Sequence, residues 1–344
     1  MNRNTKSLMI GAAAAALLIA PTLGSMDAAF AAHVEQPAGP PAPPAPPAPP
    51  SPAGAWRAAD SSWTRWPVRS YSASNVKFED IVGTVIVDVR DGGQMTVEVS
   101  GAKSRVAGLS VAVKGNTLEV DGSENKNDTS VWDWHDWFNF SNLEDDRRSD
   151  NLFVKVTVPR GTDVNIDGLV GNADIGDTQA ALRLDAAVTN AKIGKVASAK
   201  IELGGDGRID IAAVTGDLNL DVGGSGKVKT GPIGDVRADI AGSGDAQFGA
   251  IANGLKLSIA GSGDVTAARV NGPVRIEIAG SGNVKIGDGV ADPLHLEVMG
   301  AGNFTFGGVA VDPHIEAFGS GSVRLKSYRG HLDNEGMADI KIGD

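Results

Sequence analysis

Apolar and polar residues alternate along most of this chain, and the alternation keeps a fixed beat. In "VRIEIAGSGNVKI", Val274, Ile276 and Ile278 fall on one side of an extended strand, a glycine-rich turn follows, and Val284 and Ile286 return to that side. The unit recurs: "VRADIAGSGDAQF", "LKLSIAGSGDVTA", "LHLEVMGAGNFTF" and "HIEAFGSGSVRL" align with it and place the first turn glycine at 242, 261, 280, 300 and 319. Earlier copies at Gly224 and Gly205, then the eroded "LRLDAAVTNAKI" and "VNIDGLVGNADI", carry the register back to Val164 and make nine coils. A third inward position follows in each coil, at Val196, Val214, Ile233, Ile251, Val270 and Val290. Three short faces separated by turns, at a period of about 19 residues, predict an all-β fold, a parallel β-solenoid. One coil cannot bury its own apolar side, whereas stacking at about 4.8 Å pairs the backbone and builds a continuous core.

Upstream, "GTVIVDVRDGGQMTVEVSG" and "GLSVAVKGNTLEVDG" alternate as strictly, so residues 67 to 122 read as earlier, less regular coils. Strand resumes at "NLFVKVTVPRG" from Asn151. The succession of "YSASNVKFEDIVGTVIVDVRDGGQMTVEVSG", "LSVAVKGNTLEVDG" and serial "AGSGD/N" coils resembles the autotransporter adhesin head-domain family, or GIN domain, over residues 67 to 330. The resemblance implies a right-handed parallel β-helix, export, and a role in adhesion or binding at the bacterial envelope. It supplies no catalytic residue. The tripeptide "GIN" is missing, and no β-barrel of membrane-spanning length follows the coils in this sequence, so the chain does not read as an autotransporter in itself.

The front of the chain has a different composition. Arg3 and Lys6 precede "LMIGAAAAALLIA", an apolar run of thirteen that stops at Pro21, and "AFA" at 29–31 supplies a cleavage site. Residues 1–31 therefore predict a secretory signal peptide; a membrane span needs about twenty apolar residues. Residues 32–66 form a Pro-rich linker and lead-in, with ten of the seventeen prolines in 37–54. As polyproline II, at about 3.1 Å per residue, that run extends roughly 50 Å. The solenoid domain is expected over 67–344.

With no Cys, the chain has neither disulfides nor a lipidation cysteine. Losing Arg3, Lys6 and Asp27 takes the net charge from −11 to about −12, which disfavours nucleic acid as a partner. No other apolar stretch is long enough for stable membrane insertion. The expected location is exported, in the periplasm or at the cell surface.

The Gly-Ser-Gly-Asp turn invites a calcium reading, but its fourth position drifts through Asp245, Asp264, Asn283, Asn303 and Ser322, preceded by Lys227 and Arg208. A calcium column needs carboxylates at successive levels. The turn is expected to be structural, with Gly at positive φ and Asp, Asn and Ser bonding stacked backbone, and no metal site or cofactor is expected.

The same alignment produces two outward charge columns. One reads Asn165, Arg183, Lys200, Asn219, Arg237, Lys256, Arg275, His295, His314. The other, two residues along, reads Asp167, Asp185, Glu202, Asp221, Asp239, Ser258, Glu277, Glu297, Glu316. Stacked carboxylates repel, so salt bridges between the columns are expected, each exposed pair contributing under about 1 kcal/mol. The alternative is a flat charged face that holds a polymer, with Arg275, Glu277, Glu297 and Glu316 as candidate contacts.

The second candidate breaks the repeat. Residues 123–150 form a Trp- and Asp-rich insertion in which Trp132, Trp134 and Trp137 stand beside Asp133, His135 and Asp136. Such rings can stack on sugars while carboxylates accept hydroxyl hydrogen bonds, or they can simply pack the insertion onto the solenoid. Trp56, Trp63 and Trp66 precede the first coil, where they could cover its end.

Polysaccharide lyases and hydrolases also use parallel β-helices, but they need a carboxylate cluster with a positioned base, and here the carboxylates stand in regular ladders. The expectation is thus a non-enzymatic exported β-solenoid that binds at the envelope, its partner an envelope polysaccharide or a surface protein. The alternatives are a polysaccharide-acting β-helix enzyme and a self-assembling envelope protein.

Overall fold

A computed structural model describes residues 63–123, 152–336 and 339–343. From Asp163 onward the alternating runs stack in parallel, each residue above its counterpart in the previous coil. Leu255, Val274 and Leu294 pair in series, as do Leu257, Ile276 and Leu296. Side chains on the inward beat are sealed: Val274, Ile276, Ile278, Val284 and Ile286 are all at most 2% exposed. Phe248, Phe304 and Phe306 fill the same core completely. Because successive residues point to opposite faces, the inward alternation leaves every second residue on a regular outer surface.

The corner is where glycine is required. Gly242, Gly261, Gly280, Gly300 and Gly319 have φ between +118° and +135°, and they pair in one column. A Cβ added at Gly319 would stand 2.0 Å from the carbonyl oxygen of Gly300. Both the backbone conformation and the neighbouring coil therefore exclude a side chain. The turn's fourth residue forms a hydrogen-bonded ladder beside it. Asn283 Nδ2 donates to Asp264 Oδ1 at 2.8 Å, Asn303 Nδ2 to Asn283 Oδ1 at 2.8 Å, and Ser322 Oγ to Asn303 Oδ1 at 2.8 Å. Backbone N–H groups of Asn283 and Ser322 donate to the same side chains. This ladder is the structural role expected of the turn.

Three expectations need correction. The third inward position fails at Val290, which is partly exposed; Gly289 pairs with Val270 there, and Ala291 faces the core at 0% exposure. The strand slips by one residue at this level, which exchanges its inner and outer sides. Secondly, the sheet begins within the expected linker: Trp63–Arg65 pairs antiparallel with Met95–Ala102.

Thirdly, residues 67–122 are only in part coils. Asn75–Glu79 and Val82–Arg90 stack in parallel on Asp163–Ile175, but Met95–Ala102 runs antiparallel to Leu152–Pro159. Ser110–Lys114 and Thr117–Asp121 form a hairpin. Alternation is common to parallel and antiparallel strands, so the pattern alone did not separate them. The hairpin did leave a signal, since Gly115-Asn116 is a two-residue turn between alternating runs, and Gly115 has φ +62°.

Trp66 packs against the core, whereas Trp63 is half exposed with its ring 5.8 Å from that of Phe153. At the other end, Asp333–Gly336 and Asp339–Ile342 stack in parallel on His314–Gly319 and Ser322–Arg329, so the degenerate terminal segment forms a further partial coil. The segment expected to be a signal peptide, most of the expected linker, and all but Ser123 of the Trp-rich stretch 123–150 lie outside the described residues.

Candidate functional site

The two charge columns stand in the pairing register as aligned. Lys77 sits between Glu119 and Asn165, and the first column then runs unbroken from Arg183 to His314, ending on Asp333. Glu79 lies between Asp121 and Asp167 in the second, which ends with Glu297, Glu316 and Glu335. A bulge between Leu184 and Ala186 interrupts the step from Asp167 to Asp185. Both columns are thus longer at each end than the repeat alone indicated.

Among the described residues, four levels pair a Lys or Arg with their own carboxylate. Lys77 pairs with Glu79, Lys200 with Glu202 at 2.8 Å, Arg237 with Asp239 at 3.3 Å and Arg275 with Glu277 at 2.8 Å. The partners stand two residues apart on one strand, where side chains share a face. Of the candidates, Arg275 and Glu277 are therefore committed to each other, about half and two-fifths exposed respectively.

The middle of the face departs from this rule. Arg183 donates to Glu202 in the next coil at 3.1 Å, giving Glu202 two cations and leaving Asp185 none. Burial, then the charges of Glu202 and Asp167, push the Asp185 carboxyl above its ordinary range. Burial also raises Asp221, with Asp239 and Glu202 adding to it. Glu202 is held below its usual range, chiefly by its hydrogen bond from Lys200.

Beyond Arg275 the basic column changes to histidine. His314 Nε2 lies 2.9 Å from Glu316 Oε1, and Nδ1 lies 2.9 Å from Asp333 Oδ2. Those two hydrogen bonds raise its pKa, Glu316 contributing most. The His295 ring stacks edge-on at 5.8 Å, and Glu297 beside it makes no ion pair among the described residues. Toward this end the face grows acidic through Glu297, Glu316, Asp333 and Glu335, and the Lys and Arg of its basic column give way to His295 and His314.

A third outward column, overlooked in the sequence, lies beside the carboxylates. It reads Ala241, Ala260, Ala279, Met299 and Phe318. Met299 is 51% exposed and Phe318 49%. The aligned copies already carried this signal, for "IAG" becomes "VMG" and then "AFG". The structure therefore brings Glu297 and Glu316 together with two exposed apolar side chains, while Arg275 and Glu277, on the adjacent strand with Glu277 in register with Glu297, are paired with each other. No group of three or more His, Asp or Glu among the described residues is placed to hold a metal ion. The candidates Trp132, Asp133, Trp134, His135, Asp136 and Trp137 lie outside the described residues.

No helix among the described residues is long and apolar enough to cross a membrane. Nothing matches among curated proteins. Solved structures of similar outline include a "putative lipid binding protein" from Parabacteroides distasonis, 15% identical over 81% of this chain and 96% of that one, TM-score 0.42. A "putative adhesin" from the same species is 15% identical over 82% and 97%, TM-score 0.37. Another from Bacteroides fragilis is 17% identical over 81% and 97%, TM-score 0.25. A family model described as "Putative auto-transporter adhesin, head GIN domain" matches residues 80–289, more than half of the chain. With its serial coils and glycine corner column, the chain belongs to the GIN head-domain family of adhesins.

Proposed function

We propose that this protein is an exported, non-enzymatic adhesin of the cell envelope that holds an envelope polysaccharide against the C-terminal third of its ladder face. The observation that carries the reading is the Met299–Phe318 pair, exposed in register beside Glu297 and Glu316 on a surface where the same column otherwise carries alanine. Exposed apolar side chains grouped in this way mark contact surfaces. Sugar rings suit them: their C–H faces pack on the apolar pair while carboxylates accept hydroxyl hydrogens. The family's adhesin description supports the role. The regular spacing of the ladder carboxylates, several of them paired with a cation two residues away, favours binding over catalysis, which needs a base aimed at a reacting atom.

Retention of the mature chain on purified envelope polysaccharide tests this. The double variant Glu297→Lys/Glu316→Lys, and separately Met299→Ser/Phe318→Ser, should each lower retention at least tenfold with the fold intact by circular dichroism. Retention equal to wild type in both variants refutes the site. Loss of retention only in the Trp132→Ala/Trp134→Ala/Trp137→Ala variant moves the contact to the insertion. Turnover of the polysaccharide refutes the non-enzymatic reading.

A further inference from the structure

The ladder face also carries a groove of about 550 Å³ toward its other end, away from Met299 and Phe318. Its origin is a matter of side-chain size. The outward column that precedes the basic one holds Asp163, Ala181, Ser198 and Asp217 at successive levels. The two short residues leave a trough between the two aspartates. Lys77, Arg183 and Lys200 line the trough, and Asn75, Asn165 and Asn219 add carboxamides. With Thr117 at its far end it spans six stacked strands, about 24 Å at 4.8 Å per step.

The lining selects against either sign of charge. An anion would meet Asp163 and Asp217, and Asp217 has no ion pair among the described residues. A cation would meet Lys77, Arg183 and Lys200, three positive groups that share the two carboxylates of Glu79 and Glu202. What the groove offers is hydrogen bonding of both kinds. Each lysine has three donors and the guanidinium five, more than their ion pairs use, and the carboxamides give and accept. Asn165 Oδ1 is buried and has no hydrogen-bond partner among the described residues. A hydroxyl both donates and accepts, so a hydroxyl-rich chain satisfies this lining where a simple ion does not.

We infer that the groove over Ala181 and Ser198 is a binding site for a neutral oligosaccharide lying along the solenoid axis. The inference rests on the reading of the protein as a polysaccharide adhesin and specifies the chemistry of its sugar. A chain running along the axis would meet the same strand spacing at each level, and one polymer could reach both the groove and the acidic patch.

Titration calorimetry of the full mature chain with four-residue 1,4-linked oligomers tests it: β-linked glucose and N-acetylglucosamine as neutral probes, α-linked galacturonate as the anionic and β-linked glucosamine as the cationic probe. At least one neutral probe should bind more tightly than both charged ones. Ala181→Trp fills the trough from an exposed position and should weaken that binding at least tenfold, and Asn219→Ala should weaken it severalfold. Gln247→Trp, on another face, and Glu297→Lys/Glu316→Lys should leave it unchanged. No binding of either neutral probe, unaltered binding in Ala181→Trp, or tighter binding of a charged probe overturns the inference. Neutral binding lost in the Glu297/Glu316 variant but kept in Ala181→Trp removes the groove and spares the adhesion reading. The converse, with envelope retention unaffected by the Glu297/Glu316 and Met299/Phe318 variants, spares the groove and removes the patch.

Discussion

Arg183 reaches across to Glu202 in the neighbouring coil, at 3.1 Å, although Asp185 stands two residues away on its own strand. Its choice concentrates two cations on one carboxylate, and neither Asp185 nor Asp221, on the strands to either side, makes an ion pair among the described residues. Glu202→Gln should therefore lower the raised pKa of both Asp185 and Asp221, by removing a negative neighbour and freeing Arg183 and Lys200. Carboxyl NMR titration reads this directly, and two unmoved aspartates would refute it. The sign for stability follows from proton binding: a raised carboxyl holds protons that the unfolded chain has released. Each aspartate thus costs stability as pH rises from 3.8 through its raised value, and Glu202→Gln should flatten that part of the profile.

His314 gives a slope of the same sign in a higher pH range. Its bonds to Glu316 and Asp333 raise its pKa above 6.5, so its stabilisation is complete below 6.5 and disappears as pH rises through the raised value. The charged or titratable groups around it are His295 and Glu297 on one neighbouring strand, Glu316 on its own, and Asp333 and Glu335 on the other. Thermal melts across neutral and mildly alkaline pH should fall for wild type and stay level for His314→Gln. Parallel curves would show that the two hydrogen bonds do not survive in solution.

Gly280→Ala should destabilise the fold by about 3 kcal/mol, near the upper end for a residue forced into a sparsely populated backbone region. Its φ is +135°, and the new Cβ would lie 2.2 Å from the carbonyl oxygen of Gly261. Ala279→Ser, one residue away and pointing outward, should change stability by less than about 0.5 kcal/mol. Urea denaturation of the two variants compares them, and equal midpoints would mean that the corner yields to a side chain.

The solenoid was legible because stacking repeats one physical requirement at every coil: Ile240, Ile259 and Ile278 each need the same inward beat. The charge columns followed from that register without further information. Antiparallel pairing of Met95–Ala102 was not legible, since Val97 and Val99 alternate as they would in a coil. Nor was the pairing within the ladder: which acid Arg183 takes depends on side-chain reach to the next coil, not on spacing along its own strand. Met299 and Phe318 stood in the alignment, but a column that begins with alanine draws no notice until exposure is known. The groove over Ala181 and Ser198 is likewise defined by what its small residues leave open, and such a space has no signature letter.

The glycine corner also bears on how such a protein can change its length. Gly242, Gly261 and Gly280 are spaced by nineteen residues, and each coil meets only the one before and the one after. Removing or duplicating one whole unit between two corners would rejoin equivalent backbone positions, with both charge columns still in step. Reach is therefore adjustable in increments of one strand spacing, about 4.8 Å. A lineage could lengthen or shorten this rod by unequal recombination within its own repeats while keeping the chemistry of the face.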